Sequence, residues 1–142
     1  MNNEIYQLFV YGSLRSGFQS TAYEYLSKYF NLIGEAVVKG KLYDAGSYPV
    51  AVPTDEDSTI EGELYCINNP AEFSWAMGQL DDYEGLNVEQ GEMPMYKRRL
   101  VTAYINGDST MAWVYWYNGP VHALPELPIS DALKYQQQKT KI

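Results

Sequence analysis

The sequence predicts an α+β fold, a curled mixed sheet with two helices against it. Two observations carry this. Most of the β-prone runs follow one another with no crossover helix between them, and only two stretches combine helical spacing with helix caps. Glycines also recur inside the strand-like runs, where they mark the bulges and bends that let a sheet curl.

The first strand is the apolar run Leu8 to Tyr11, which stops abruptly at Gly12-Ser13, with Gly17 shortly after. Thr21 to Tyr29 reads as a short helix, capped by Ser20 or Thr21, with Thr21-x-x-Glu24 fitting a capping box. Phe30 to Tyr43 is β-rich and interrupted by Gly34 and Gly40. Tyr48 to Pro53 is a short extended piece bounded by prolines, which suits a sheet edge. Ser58 to Ile67 alternates, with Ile60, Gly62, Leu64 and Cys66 on one face and Glu61, Glu63, Tyr65 and Ile67 on the other. Asn69-Pro70-x-Glu72 announces the second helix: an N-cap, a proline at the first helical position and an acid at the positive end of the dipole. Phe73, Ala76, Met77 and Leu80 give that helix its apolar face, and it ends near Tyr83. Met95 to Ile105 and Thr110 to Tyr117 follow as a hairpin joined by Asn106-Gly107-Asp108-Ser109. Beyond Asn118, prolines 120, 125 and 128 make an irregular arm, and Ser130 to Ile142 is a polar end, a frayed helix or a disordered tail. The chain therefore divides into a domain over 1–120 and an arm and tail over 121–142.

A length of 142 residues suits one domain with a real core. The 14 tyrosines suit strands and pocket walls. A net charge of −8 argues against nucleic acid as partner, since binders of phosphate backbones carry basic patches. No apolar run approaches the roughly 20 residues that span a bilayer, and the first residues lack a signal peptide's basic and apolar regions. The lone Cys66 cannot form an internal disulfide. These features predict a cytoplasmic protein with neither nucleic acid nor membrane as partner, and leave its oligomeric state open.

The glycine loop is not a nucleotide loop by the usual tests. Gly12 and Gly17 have P-loop spacing, but Phe18-Gln19 stand where Lys and Ser/Thr are required, and Leu14 occupies the second glycine of a dinucleotide fingerprint. Two readings stay open: a tight strand-to-helix turn, or a nest of backbone N–H groups that holds an anion. One His and one Cys leave no plausible zinc cluster, so no metal is expected. His122, in the Pro-rich arm, reads as a surface residue rather than a hydrolase base. Leu80-Asp81-Asp82-Tyr83-Glu84-Gly85 sets three acids at a helix end, where the dipole disfavours negative charge. They form either a solvated helix end or a turn in which Glu84, released by Gly85, enters a pocket as an acid–base.

Tyr11-Gly12-Ser13-Leu14 after an N-terminal strand, then Leu80-Asp81-x-x-Glu84-Gly85, then Tyr96-x-Arg98 opening a strand, resembles the γ-glutamylcyclotransferase-like family, specifically its small bacterial-type γ-glutamylamine cyclotransferase-like proteins. The order and separations match over about residues 6 to 117. The resemblance implies a small mixed β-barrel-like curled sheet with flanking helices, a cavity at the glycine loop, and intramolecular cyclisation of a γ-glutamyl amine, amino acid or peptide, releasing 5-oxoproline and a free amine without a cofactor. On that reading the amides of Gly12, Ser13 and Leu14 hold the substrate α-carboxylate, Tyr11 flanks them, and Glu84 is the general acid–base. Tyr96 and Tyr115 are implied pocket residues, although alternating aromatics in a hairpin also serve sheet packing. Arg98 is implied in the site too, where it can brace the Asp81–Glu84 turn by a charge-assisted hydrogen bond or stand as a plain surface cation. Leu14 occupies a position where some members carry an amide residue. The alternative is a non-catalytic member of the same fold that binds a small carboxylate.

Overall fold

The computed structural model describes residues 5–11, 21–45, 49–83, 94 and 96–127. Five strands close into a barrel in the order β1-β5-β2-β6-β7, formed by Gln7–Val10, Thr59–Ile67, Phe30–Lys39, Tyr96–Ile105 and Asp108–Tyr117 respectively. Every neighbouring pair is antiparallel except the one that shuts the barrel, where β1 runs parallel to β7 with Leu8 beside Trp113. Lys41–Asp44 (β3) and Pro49–Val52 (β4) form a separate antiparallel pair. The expected curled sheet with two helices is thus present in its closed form.

Strand alternation divides the apolar residues into two layers. Phe9, Tyr11, Val38, Ile60, Leu64, Ala112, Val114 and Trp116 fill the barrel interior, while Leu8, Val10, Tyr65, Ile67 and Tyr115 face outward beneath the helices. Helix α1 (Thr21–Tyr29) buries Leu26 there, with Glu24 in its first turn and Lys28 in its last, as the helix dipole favours. Helix α2 (Phe73–Tyr83) buries Phe73, Ala76, Met77 and Leu80, the spacing expected from the sequence. A 3₁₀ turn over Pro70–Glu72 leads into it, capped by the Asn69 side chain, which accepts from Ala71 N at 3.1 Å.

Several details differ from the sequence reading. The run from Phe30 to Tyr43 is two strands rather than one: β2 carries an irregularity between Leu32 and Gly34, and at Gly40 the chain leaves the barrel for the second sheet. Both faces of β5 are buried, one by the barrel interior and one by the helices, so its Glu63 is buried and accepts from Tyr65 Oη at 3.1 Å. The prolines did bound β4 correctly, yet Val50 and Ala51 in it are fully buried. The hairpin turn is two residues, not four. Asn106 and Gly107 both take positive φ (51° and 83°), the geometry that matches the twist of the strands, so β7 begins at Asp108. The start of the arm packs on β3: Leu127 is buried, and backbone bonds join Asp44 to Pro125 and Leu127 to Leu42. His122 is exposed.

Candidate functional site

The described site grows from the register of the β6–β7 hairpin. Because the Asn106-Gly107 turn closes in two residues, Arg98 lies opposite Tyr115 and Tyr96 opposite Tyr117. Arg98 and Tyr115 therefore share the outer face, over which the last turn of α2 passes. Asp81 of that turn meets both. Arg98 donates to it twice, Nε to Oδ1 at 2.8 Å and an Nη to Oδ2 at 3.0 Å, the bidentate fork that suits a carboxylate. Tyr115 Oη donates to the same Oδ1 at 2.7 Å. The guanidinium also sits 4.8 Å from the centroid of the Trp113 ring, a cation–π contact.

This arrangement answers the question posed by the acidic helix end. A carboxylate near a helix C-terminus opposes the dipole, and here Asp81 is compensated by a full positive charge and a phenol. The pair is largely enclosed, with the Asp81 side chain 15% and that of Arg98 26% exposed. Two donor groups and one face of Arg98 are committed within the protein, so it braces Asp81 rather than standing as a free surface cation.

Tyr11 continues the chain of contacts from the other side of the sheet. It directly follows β1, packs with the interior residues, stacks on Trp116 at 6.4 Å and 26°, and donates its hydroxyl to the Tyr115 carbonyl at 2.6 Å. Tyr115 thus links two segments far apart in sequence, accepting from Tyr11 through its backbone and donating to Asp81 through its side chain. Tyr96 packs edge-on to Tyr117 at 6.0 Å beside the same cleft. Gly12, Ser13, Leu14 and Glu84 lie outside the described residues. The tie between Tyr115 and Asp81 was not read from the sequence. Its signal was the Asn-Gly turn, since a four-residue loop would have set Arg98 opposite Tyr117 and broken the alignment.

Beside the pair opens a polar cleft of about 530 Å³, lined by Asp81, Pro94, Tyr96, Lys97, Arg98, Arg99, Trp113 and Asn118. The Asn118 amide donates to the Pro94 carbonyl at 3.0 Å and closes one side of it. Among the described residues no group of three or more His, Cys, Asp or Glu is placed to hold a metal ion, and no helix is long and apolar enough to cross a membrane.

A closed five-stranded barrel with two outer helices is an architecture found in other solved proteins. YkqA of Bacillus subtilis is similar at a TM-score of 0.69 with 25% identity, the match covering 95% of this chain and 42% of that one. The chain therefore spans less than half the length of YkqA. The protein PH0828 of Pyrococcus horikoshii shares the fold at a TM-score of 0.63 and 18% identity, over 95% of this chain and 96% of that one. An Arabidopsis thaliana protein does so at 0.61 and 18%, over 94% and 84%. No curated protein matches the sequence. The model of the gamma-glutamyl cyclotransferase, AIG2-like family matches residues 8–137, and the chain belongs to that family. The match reaches beyond the three motifs into the arm that packs on β3.

Removal of the Asp81 carboxylate tests the brace. In Asp81→Ala the Arg98 charge is left partly enclosed without its partner, and stability should fall by about 2 kcal/mol. That is less than the cost of breaking a fully buried pair, because a quarter of Arg98 already faces water. The shift is read as the midpoint of urea unfolding, and an unchanged midpoint would mean the pair contributes nothing.

Proposed function

We propose that the protein is a cyclotransferase that cleaves a γ-glutamyl amine, amino acid or peptide, releasing 5-oxoproline and a free amine. The observation that carries the reading is the run of hydrogen bonds from Tyr11 through Tyr115 to Asp81. It ties the residue immediately before Gly12 to the helix turn that leads into Glu84, so the two motifs are anchored to one strand. Asp81 and Glu84 are three peptide steps apart in the chain, which limits their Cα atoms to about 11 Å apart. Membership of the family supports the same reading.

The reaction we assign needs little from the protein. The substrate's own α-amino nitrogen attacks its γ-carbonyl carbon, a C–N bond forms to close the five-membered lactam, and the C–N bond to the departing amine breaks. One proton leaves the attacking nitrogen and one arrives on the departing nitrogen, so no water or co-reactant is consumed. Glu84 carries that proton. The amides of Gly12, Ser13 and Leu14 hold the α-carboxylate as a nest, beside Tyr11. The nucleophile is already tethered to its electrophile, so what the protein supplies is the orientation of amine against carbonyl and the transfer of the proton. We assign Tyr96, Arg98 and Tyr115 to the substrate site as well; Tyr96 and Arg98 line the outer cleft.

Mass spectrometry of 5-oxoproline after incubation with γ-glutamyl amines, γ-glutamyl amino acids and glutathione tests the reading. Product from at least one class is expected. Silence across the panel would favour a non-catalytic member that binds a small carboxylate.

A further inference from the structure

At the rim of the helix layer lies an aromatic cluster that the proposed chemistry does not use. Tyr25 and Tyr29 stand one turn apart on α1, and Trp75 projects from the first turn of α2. The ring centroids are 4.9 Å apart for Tyr25 and Tyr29, 5.2 Å for Tyr29 and Trp75, and 6.2 Å for Tyr25 and Trp75. Tyr29 and Trp75 meet at 71°, so their rings form a corner rather than a stack. Stability alone does not account for this arrangement. Trp75 is left 52% exposed, and the Tyr25 hydroxyl is buried with no hydrogen-bond partner among the described residues, so its desolvation goes uncompensated. The charge beside the cluster is negative. Glu72 lies three residues before Trp75, the spacing that sets two side chains on one side of a helix. Burial first, then the neighbouring Tyr29 and Glu72, raise the Tyr25 phenol above its usual pKa, which is consistent with a Glu72 charge close to the rings. Arg98 is the described cation that stacks on an aromatic ring, and it does so on Trp113, so no described side chain fills this corner with a cation.

We propose that this corner binds a small organic ammonium ion, held by the rings of Trp75, Tyr29 and Tyr25 and by the charge of Glu72. Cation–π attraction acts within about 6 Å of a ring centroid, and the spacing of the three centroids lets one cation satisfy that distance to all of them. Trp is the ring that attracts a cation most strongly, and Trp75 is the most exposed of the three. The carboxylate of Glu72 adds a Coulombic attraction for a cation and repels an anion, while a neutral molecule of the same shape gains contact area alone. The site is separate from the cleft beside Asp81 and does not depend on the cyclotransferase reading.

The test is an NMR titration of the full chain with tetramethylammonium chloride, at an ionic strength held constant with sodium chloride, following the indole N–H resonances. Trp75 should shift saturably, with a dissociation constant of about 1–10 mM, the strength of a few exposed cation–π contacts and one carboxylate. The Trp113 indole, held on the Ile5 carbonyl at 3.0 Å and already stacked by Arg98, should stay in place. The neutral tert-butanol, nearly the same shape, should leave Trp75 unmoved at the same concentrations. Tyr29→Leu and Glu72→Gln should each weaken binding by about two- to fivefold. Glu72 is exposed, so its variant tests the site without disturbing the core. No saturable shift, equal shifts with tert-butanol, or unchanged affinity in Glu72→Gln would overturn the site. A Trp75 resonance that moves with protein concentration before any ligand is added would also overturn it, by assigning the face to a second copy of the chain.

Discussion

Glu84→Gln is expected to lower kcat for 5-oxoproline formation by about 10²–10⁴-fold, the usual contribution of a positioned acid–base, with the melting temperature near that of the wild type. The amide keeps the shape and the hydrogen-bonding capacity of the carboxyl but cannot take a proton from the attacking amine. Glu84 follows Tyr83, the last residue of α2, in the sequence. The charge of Asp81, in the last turn of α2, is answered by Arg98. The contrast with Asp81→Ala separates the two roles. Asp81→Ala should cost stability first and turnover as a consequence, whereas Glu84→Gln should cost turnover alone. Retained turnover in Glu84→Gln would remove it from the mechanism and assign proton transfer to another group.

Local chemistry was legible wherever a residue type forces a backbone choice. Asn69-Pro70 announced the start of α2, Asn106-Gly107 announced the hairpin, and the spacing of Phe73, Ala76, Met77 and Leu80 gave the buried face of the helix. Closure of the barrel was less legible, because it depends on one parallel contact between Leu8 and Trp113, residues with no local signal for each other. The same limit applied to β5. Its alternation suggested one buried face, but helices packed on the outside bury Tyr65 and Ile67 as fully as the interior buries Ile60 and Leu64. At the site, the residue types were legible and their contacts were not. Arg98 was a candidate brace for the acidic turn, but Tyr115 as a second donor to Asp81 required the register of the hairpin. That register depends on whether the turn holds two residues or four, a distinction made by the positive φ of Asn106. The family motifs reached further than periodicity because they join segments that only the folded barrel brings side by side.

The second large effect lies in the wall that launches the glycine loop. Gly62 faces the barrel interior, next to Glu63, whose strand partner is Val10 at the end of β1. A Cβ built on Gly62 would lie 2.2 Å from the Val10 carbonyl oxygen and 2.6 Å from the Phe9 ring. The ring could shift, but the carbonyl belongs to the β1 backbone and can move only by displacing the strand. Gly62→Ala should therefore destabilise the protein by about 3 kcal/mol, toward the upper end for overpacking, and lower the melting temperature by roughly 10 °C. Gly78→Ala is the matched control, since nothing lies within 4 Å of its Cβ and it sits inside α2. There alanine should stabilise by about 0.5–1 kcal/mol, because it restricts the unfolded chain and suits a helix better than glycine. Opposite signs from the same substitution would identify close backbone approach as the cause. The displacement also has a functional consequence, since Val10 and Tyr11 lead directly into Gly12-Ser13-Leu14. Gly62→Ala protein that remains folded at low temperature should show a raised KM for the γ-glutamyl substrate. A wild-type melting temperature and KM in that variant would mean that β1 tolerates the shift and that its end does not set the geometry of the loop.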